Sequence, residues 1–263
     1  MKGVVAFFTV LFIIPLGHAI TVLALKLPLN GQLLIAVACI IAATVIIYVT
    51  KYIKSPAWET FTGMIAGVIL WAGLVEIGVK IGAQALEIEE KKAMEFSLAI
   101  VIPLLLYLLF NEQVRCNLFI SLRKGLHILR GNQQETTIDH WGPRVAFKMF
   151  TMIWIGHLIL FFAYDEDFFG PQGLFCKITF ILCLLGGSYL FYKLTKAEEM
   201  DFAFRYAMPT VIVIWSCIEI LAKWKILSEP WITLNPVFLV IVTVAFVSAL
   251  FLIVRAERRK KQT

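Results

Sequence analysis

Apolar residues run along this chain in eight long stretches that are separated by short polar connections. The stretches cover roughly residues 3–25, 31–53, 60–82, 95–110, 147–164, 173–192, 203–224 and 233–254. A bilayer core of about 30 Å needs about 20 apolar residues in a helix, and each stretch meets or approaches that length. Because backbone groups in lipid must hydrogen-bond within their own segment, the pattern predicts eight transmembrane helices.

The composition supports contact with a lipid bilayer. The chain has 263 residues, of which 60% are hydrophobic and only 16% are charged. Soluble domains average about 45–50% apolar and about 25% charged residues. The formal charge of +6 comes from basic residues that lie between the apolar stretches, mostly on one side. This pattern indicates membrane orientation, and we expect no nucleic-acid partner.

The distribution of basic residues predicts that both termini lie in the cytoplasm. If the N-terminus is inside, 17 of the 24 Lys and Arg residues fall on the inner side. Basic residues favour cytoplasmic loops, which sets the orientation of the helices. No N-glycosylation sequon is present. We therefore expect a multi-pass protein of the cytoplasmic (inner) membrane of a prokaryote.

Sequence landmarks recur in the same order in the two halves of the chain. Gly17-His18 recurs as Gly156-His157 at an offset of 139 residues. The others are Lys51 and Lys54 with Lys193 and Lys196 (offset 142), Trp71 with Trp215 (offset 144), and Glu76 and Lys80 with Glu219 and Lys223 (offset 143). Such ordered matches are typical of an internal duplication.

The duplication predicts an all-α integral membrane protein built as two parallel four-helix repeats. Residues 1–110 form the first repeat and residues 147–254 form the second. A cytoplasmic linker, 111–146, joins them, and a basic tail, 255–263, follows. Because each repeat has an even number of helices, both have the same topology, related by an axis along the membrane normal.

The linker contains a basic amphipathic stretch. Leucines recur at helical spacing on one face, and basic residues take the other: Leu118, Leu122, Leu126 and Leu129 against Arg123, Lys124, His127 and Arg130. Such a stretch is typical of a helix that lies in the cytoplasmic headgroup region. The alternative is a docking surface, around 115–130, for other subunits of a membrane complex.

Two histidines and two glutamates are the candidate site residues. His18, His157, Glu76 and Glu219 lie inside apolar stretches, at similar depth in the outer half of the membrane. Placing an ionisable group at the centre of a bilayer costs about 2.5–3.5 kcal/mol or more of free energy. Each of these residues is therefore expected to have a function or a partner that offsets this cost. If the first and third helices of each half are adjacent, each half carries a His–Glu pair. Such a pair can transfer protons or hydrogen-bond a quinol ring.

Structural interpretations of the same residues stay open. Each glutamate has a lysine four residues on, Lys80 or Lys223, in the orientation that favours a helix ion pair. Each histidine could equally form a helix–helix hydrogen bond. Trp71 and Trp215 lie about one turn before the glutamates and could wall a pocket or simply pack.

These residues leave the cofactor open, and a quinone is one candidate. The alternative is a b-type haem with His18 and His157 as its two axial ligands. The five cysteines show no CxxC pair or metal-ligand spacing, so we assign no metal site. The motifs of self-contained soluble enzymes are absent, and no catalytic residue is assigned.

These features favour a membrane subunit of an electron- or proton-handling complex of the quinol-interacting type. Two four-helix bundles in a chain of this size are similar to the architecture of the NrfD/PsrC-type quinol-interacting subunits. The similarity is one of helix number and halves, because no diagnostic motif of that family is present. The alternatives are a small transporter or channel with a pathway between the repeats, and a structural or assembly subunit.

Overall fold

The computed structural model describes residues 2–111, 117–127, 140–167 and 169–260, and these form helices and connecting turns without a strand. The helices are α1 Lys2–Leu25, α2 Leu29–Thr50, α3 Pro56–Ala85, α4 Glu90–Phe110, α5 Asn117–Gly125, α6 Gly142–Tyr164, α7 Leu174–Thr195, α8 Met200–Lys223 and α9 Pro236–Lys260. All except α5 are long and apolar enough to span a membrane. The predicted all-helical membrane chain with eight long apolar helices is therefore confirmed.

Several helices extend beyond the apolar stretches that predict them. The α3 helix begins at Pro56, four residues before its predicted stretch, whereas α9 begins at Pro236, three residues inside its stretch, and continues to Lys260. Proline suits the first turn of a helix, where no backbone N–H is needed. The α4 helix already begins at Glu90, with charged residues in its first turns. Hydropathy detects only the part of a helix in the hydrocarbon, whereas the helices themselves continue into the polar interface.

The α3 helix contains a π-helical turn at Ala72–Ile77, between α-helical segments at Pro56–Trp71 and Gly78–Ala85. A π-turn bonds each N–H to the fifth carbonyl back and so accommodates one extra residue in a helix. Such turns are frequent at functional sites.

The described helices pack into two units. The first comprises Met1–Gly78 and His140–Thr263, and the second comprises Val79–Asp139. The predicted division into repeats at 1–110 and 147–254 stays a prediction.

The second unit holds α4 and α5. Of the predicted amphipathic stretch, residues 112–116 and 128–139 lie outside the described residues, which removes Leu129 and Arg130. Leu122 and Leu126 are exposed, as a lipid-facing surface requires. Arg123 was expected on the polar face, but it is buried and donates to the backbone carbonyl of Asn111, just after α4. The carbonyl groups at the C-terminus of a helix attract cations, which explains why the Arg123 side chain lies at the end of α4.

In the first unit, four helices form an inner group and three pack outside it. In the most apolar segment of each helix, 39–50% of the residues are buried in α1, α3, α6 and α8, against 11–17% in α2, α7 and α9. The main contacts join α3 to α6 and α1 to α8, with α2 on α3, α7 on α8 and α9 on α1. The first helix of each half of the chain therefore pairs with the third helix of the other half.

Small residues let these helices approach closely. A Cβ atom added at Gly63 or Gly67 of α3 would overlap the backbone of Gly142 or Ala146 of α6. A Cβ at Gly142 would overlap Thr50 at the end of α2, and one at Gly3 would overlap the carbonyl of Leu194 at the end of α7. Membrane helices associate through such backbone approach, because lipid offers no hydrophobic drive between them.

Replacing Gly67 by Ala should destabilise the protein by about 1–3 kcal/mol, because the new methyl group meets backbone atoms that cannot move aside. Gly186→Ala on α7 is the matched control, since a Cβ there meets nothing within 4 Å. The control should be neutral or stabilising by up to about 1 kcal/mol from helix propensity. Thermal unfolding in mild detergent, followed by circular dichroism, measures both; equal effects would contradict the close α3–α6 contact.

Candidate functional site

A cavity of about 60 Å³ lies between α1, α3, α6 and α8. Its lining includes Ile14, Gly17, His18, Val68, Trp71, Ala72, Ile153, Gly156, His157, Leu160, Ile212, Trp215, Ser216 and Glu219. The two histidines occupy equivalent places, each seven residues before the end of its helix. A buried water needs about 10–15 Å³ of such space, so the cavity has room for several waters or a small planar group.

His18 lies at the centre of the polar contacts. Its ring stacks on that of Trp215, with centroids 6.1 Å apart and planes at 17°. Its other neighbour is Trp71, at 6.1 Å and in edge-to-face geometry. The His18 Nε2 atom lies 3.8 Å from Oε1 of Glu219. This distance is too long for a direct hydrogen bond and short enough for one to form after a small side-chain movement.

Glu219 is held in place from its own helix. Its Oε1 accepts a hydrogen bond from the indole N–H of Trp215, one turn earlier on α8, at 2.5 Å. The indole of Trp215 therefore both stacks on the imidazole and orients the carboxylate. Trp215, Glu219 and His18 form a triad that joins α8 in the second half of the chain to α1 in the first.

The corresponding residues of the other pair of helices are arranged differently. The His157 ring lies 5.7 Å from that of Trp71, at 65°. The Trp71 indole N–H is buried and has no hydrogen-bond partner among the residues that the structure describes. Glu76 lies within the π-turn and is not among the residues that line the cavity.

The structure thus brings His18 and Glu219 together across the two halves. The sequence-based expectation had a pair within each half if the first and third helices of one half were adjacent. Among the four inner helices, the main contacts instead join α1 to α8 and α3 to α6, and glycines on α3 and α6 permit the close approach of the second pair.

The two lysines do not pair with the glutamates one turn before them. Lys80 Nζ lies 4.0 Å from Oε2 of Glu90 at the start of α4, and Lys223 Nζ lies 5.5 Å from the ring centre of Tyr164. In the described part of the chain, the i,i+4 ion pairs inferred from the sequence are therefore absent. Long lysine side chains in a membrane tend to extend toward the polar interface.

Two lining features were missed in the sequence. Ser216 and Trp231 read as ordinary residues, yet Ser216 lines the cavity and Trp231 packs on Trp215 with ring centres 4.8 Å apart. The π-turn had a signal that could have been used. Trp71 and Glu76 are five residues apart, whereas Trp215 and Glu219 are four apart, so α3 carries one extra residue.

Comparisons of the chain with protein-family models, with curated proteins and with solved structures found no match. Among the described residues, no group of three or more His, Cys, Asp or Glu side chains is placed to hold a metal ion.

A second polar cluster lies at the opposite ends of the helices. The buried carboxylate of Glu59, in the first turn of α3, accepts the backbone N–H of Gly142 at 2.9 Å. Its Oε1 is also 3.8 Å from Nδ1 of the half-exposed His140. The first N–H groups of a helix need acceptors and favour negative charge. Glu59 therefore ties the start of α6 to α3, which is a structural role.

The cavity has the parts needed to bind a planar, hydrogen-bonding ring and to exchange its protons. The indoles of Trp71 and Trp215 offer aromatic walls, and the imidazoles offer both donor and acceptor nitrogens. The carboxylate beside His18 can accept the proton that the imidazole passes on.

Replacing Trp215 by Phe should destabilise the protein more than Trp71→Phe does, by about 1.5–3 kcal/mol. Both changes keep an aromatic ring and lose the same volume, but only Trp215 donates to a carboxylate. Chemical or thermal unfolding of the two variants in the same detergent gives the difference. Equal destabilisation would mean that the Trp215–Glu219 hydrogen bond contributes nothing.

Proposed function

We propose that this chain is the membrane subunit of an electron- or proton-handling complex of the quinol-interacting type. The observation that carries the proposal is the His18–Glu219 pair, 3.8 Å apart inside a cavity walled by two indoles. An ionisable pair within a membrane-spanning bundle is costly and is typical of proton relays and ligand sites. No feature of the described residues favours the transporter or structural alternatives over this one.

The chemistry assigns a role to each part of the site. A hydroquinone ring would fit between the aromatic walls, with a hydroxyl group donating a hydrogen bond to the imidazole of His18. Its oxidation would release two protons and two electrons. His18 would accept the first proton, pass it to Glu219 and then accept the second, and the electrons would leave one at a time to a one-electron redox centre, such as a haem or iron–sulfur cluster, in a partner subunit.

We also propose that the two halves are copies of one four-helix unit with parallel topology. Three features support this. The helix contacts α1–α8 and α3–α6 exchange when the halves are exchanged. Gly3 and Gly142, 139 residues apart, both pack against the end of the second helix of the other half. The π-turn accounts for the one-residue difference between the Trp71–Glu76 and Trp215–Glu219 spacings.

Both termini are proposed to lie in the cytoplasm of a prokaryotic cell, which places the cavity in the outer half of the cytoplasmic membrane. Other subunits would then dock on the inner side, around residues 115–130, most of which carry no described side chain.

We expect a short-chain benzoquinone or naphthoquinone to quench the tryptophan fluorescence of the purified protein in nanodiscs, and we expect the quenching to saturate. His18→Gln should weaken binding about 10–100-fold, the equivalent of one hydrogen bond to a charged group. The control is His140→Gln, which changes a histidine outside the cavity and should leave the affinity unchanged. Quenching that rises linearly, or is unaffected by His18→Gln, would overturn the proposal.

The absorption spectrum of the same preparation tests the haem alternative. A Soret band that disappears in both the His18 and His157 alanine variants would assign the site to a haem and replace the quinol proposal.

The orientation is tested by labelling single cysteines with a membrane-impermeant reagent after the five native cysteines are replaced by serine. Glu166→Cys, in the exposed turn after α6, should react in right-side-out vesicles. His140→Cys, just before α6, should react only after the membrane is permeabilised. The reverse pattern would place the cavity in the inner half.

A further inference from the structure

We propose that the connection between α8 and α9 closes the outer end of the cavity to water, so that the ligand enters from the bilayer as a lipid-soluble molecule. The connection comprises residues 224–235, and we call it the outer cap. It lies on the side of the bundle where α1, α6 and α8 end. Because it names the class of ligand and its route to the same cavity, this inference rests on the proposed function.

The outer cap folds back into the bundle. Trp215 lies eight residues before α8 ends at Lys223, which is about 12 Å below the end of the helix. Trp231 belongs to the cap, yet its ring centre lies 4.8 Å from that of Trp215, and the residue is only 5% exposed. The Trp215 ring, which lines the cavity and stacks on His18, therefore also contacts the cap.

The cap forms a defined turn with its own hydrogen bonds. The carbonyl of Glu229 accepts the N–H groups of Ile232 and Thr233, at 3.0 and 3.1 Å. The side chain of Asn235 accepts the N–H of Val237 at the start of α9, at 3.0 Å. Irregular backbone is tolerated at membrane depth only where it is buried in protein or lines a cavity, since its polar groups need partners there. The fold-back of the cap is therefore better explained as part of the site than as a loop exposed to lipid.

A second contact fixes the start of the cap. The indole N–H of Trp224 donates to the carbonyl of Pro171, in the connection between α6 and α7, at 2.6 Å. The same ring packs against a buried apolar cluster near the helix ends, which includes Leu160 and Ile220. Leu160 also lines the cavity. Trp224 and Trp231 thus hold the cap at two points next to the outer end of the cavity.

The inner end of the cavity is closed by the bundle itself. One residue of each inner helix lies four positions before the first lining residue of that helix: Val10, Met64, Met149 and Met208. All four are at most 2% exposed and belong to the main apolar core. On the outer side of α1, α6 and α8, the buried residues three positions beyond the lining are small: Thr21, Ala163 and Ala222. Because small side chains fill less space, the cap supplies the cover on this side.

The sides of the bundle face lipid and leave a route for an apolar ligand. Ile20 and Leu23 of α1 and Ile159 of α6, which lie within two turns of lining residues, are 43–65% exposed. A ligand dissolved in the hydrocarbon reaches the cavity by passing between such side chains. A ring in the space of about 60 Å³, with an apolar tail in the bilayer, suits this geometry. Tailed hydroquinones belong to this class, and charged water-soluble ligands do not.

Cysteine labelling tests the cap without any quinone. Ser216→Cys places a thiol in the cavity lining, in a chain whose five native cysteines are replaced by serine. The protein is placed in nanodiscs, where both faces are exposed to the reagent, and each rate is divided by that of the exposed Glu166→Cys. A methanethiosulfonate that carries a trimethylammonium group should label Ser216→Cys about 10-fold or more slowly than an uncharged one, because a charge at membrane depth is costly. Equal normalised rates would overturn the cap.

Variants of the cap should open the outer end of the cavity. Trp231→Ala should raise the rate with the charged reagent about 10-fold or more, because water then replaces the apolar cover, and leave the uncharged rate nearly unchanged. Ile232→Ala is the matched control, since this side chain lies in the same turn and is 46% exposed. Trp231→Phe, which keeps a ring on Trp215, should restore the slow rate. Trp224→Phe, which removes the bond to Pro171, should give a smaller increase. An unchanged rate in whichever of the Trp231→Ala and Trp224→Phe variants folds, or an equal increase in Ile232→Ala, would overturn the role of the cap.

Two quinones separate this inference from the proposed function. A short-chain naphthoquinone, which dissolves in the bilayer, should quench the tryptophan fluorescence with saturation, and a sulfonated naphthoquinone, which stays in water, should not. Saturable quenching by both compounds with similar affinity would overturn the route from lipid and leave the quinone site standing. Slow labelling of Ser216→Cys by the charged reagent, together with no saturable quenching by either quinone, would support the cap and overturn the quinone site.

Discussion

Close backbone approach between α3 and α6, where Gly63, Gly67 and Gly142 leave no space for a side chain, governs the arrangement of this bundle. In a membrane there is no hydrophobic drive to bring apolar helices together, so the pairs that fit most closely are the pairs that form. Here they join α3 to α6 and α1 to α8. This pairing, and no property of the polar residues themselves, is what carries His18 to Glu219 and His157 to Trp71.

The inner helices then have to accommodate polar groups away from water. The carboxylate of Glu59 has partners on two sides, the backbone N–H at the start of α6 and the side chain of His140. The two indole groups of the cavity differ: the N–H of Trp215 has an acceptor, whereas the N–H of Trp71 has none among the described residues. A structural polar network is expected to be satisfied throughout, because each unpaired buried group costs stability.

The helices and the candidate residues could be predicted from the sequence, but their neighbours could not. Length and hydropathy are enough to locate eight spans, and the residues of the Gly-His and Trp-Glu landmarks line the cavity, with the exception of Glu76. Helices that are apolar all round carry no stripe to reveal which face meets which neighbour, since lipid and protein select the same side chains. For the same reason Lys80 was assigned to Glu76, although its ammonium lies near Glu90. The five-residue spacing of Trp71 and Glu76 is the sequence feature that indicates the π-turn.

Cross-pairing of the halves has a consequence for how such a chain could have arisen. If the halves are copies of one unit, a single copy would contain a histidine helix and a glutamate helix that do not complete a site with each other. Two copies would be needed, and the site would form at the axis between them, as in an isologous dimer. Fusion into one chain then frees the two copies to diverge. The extra residue in α3 would be such a divergence, because Trp71 and Glu76 are five residues apart whereas Trp215 and Glu219 are four apart.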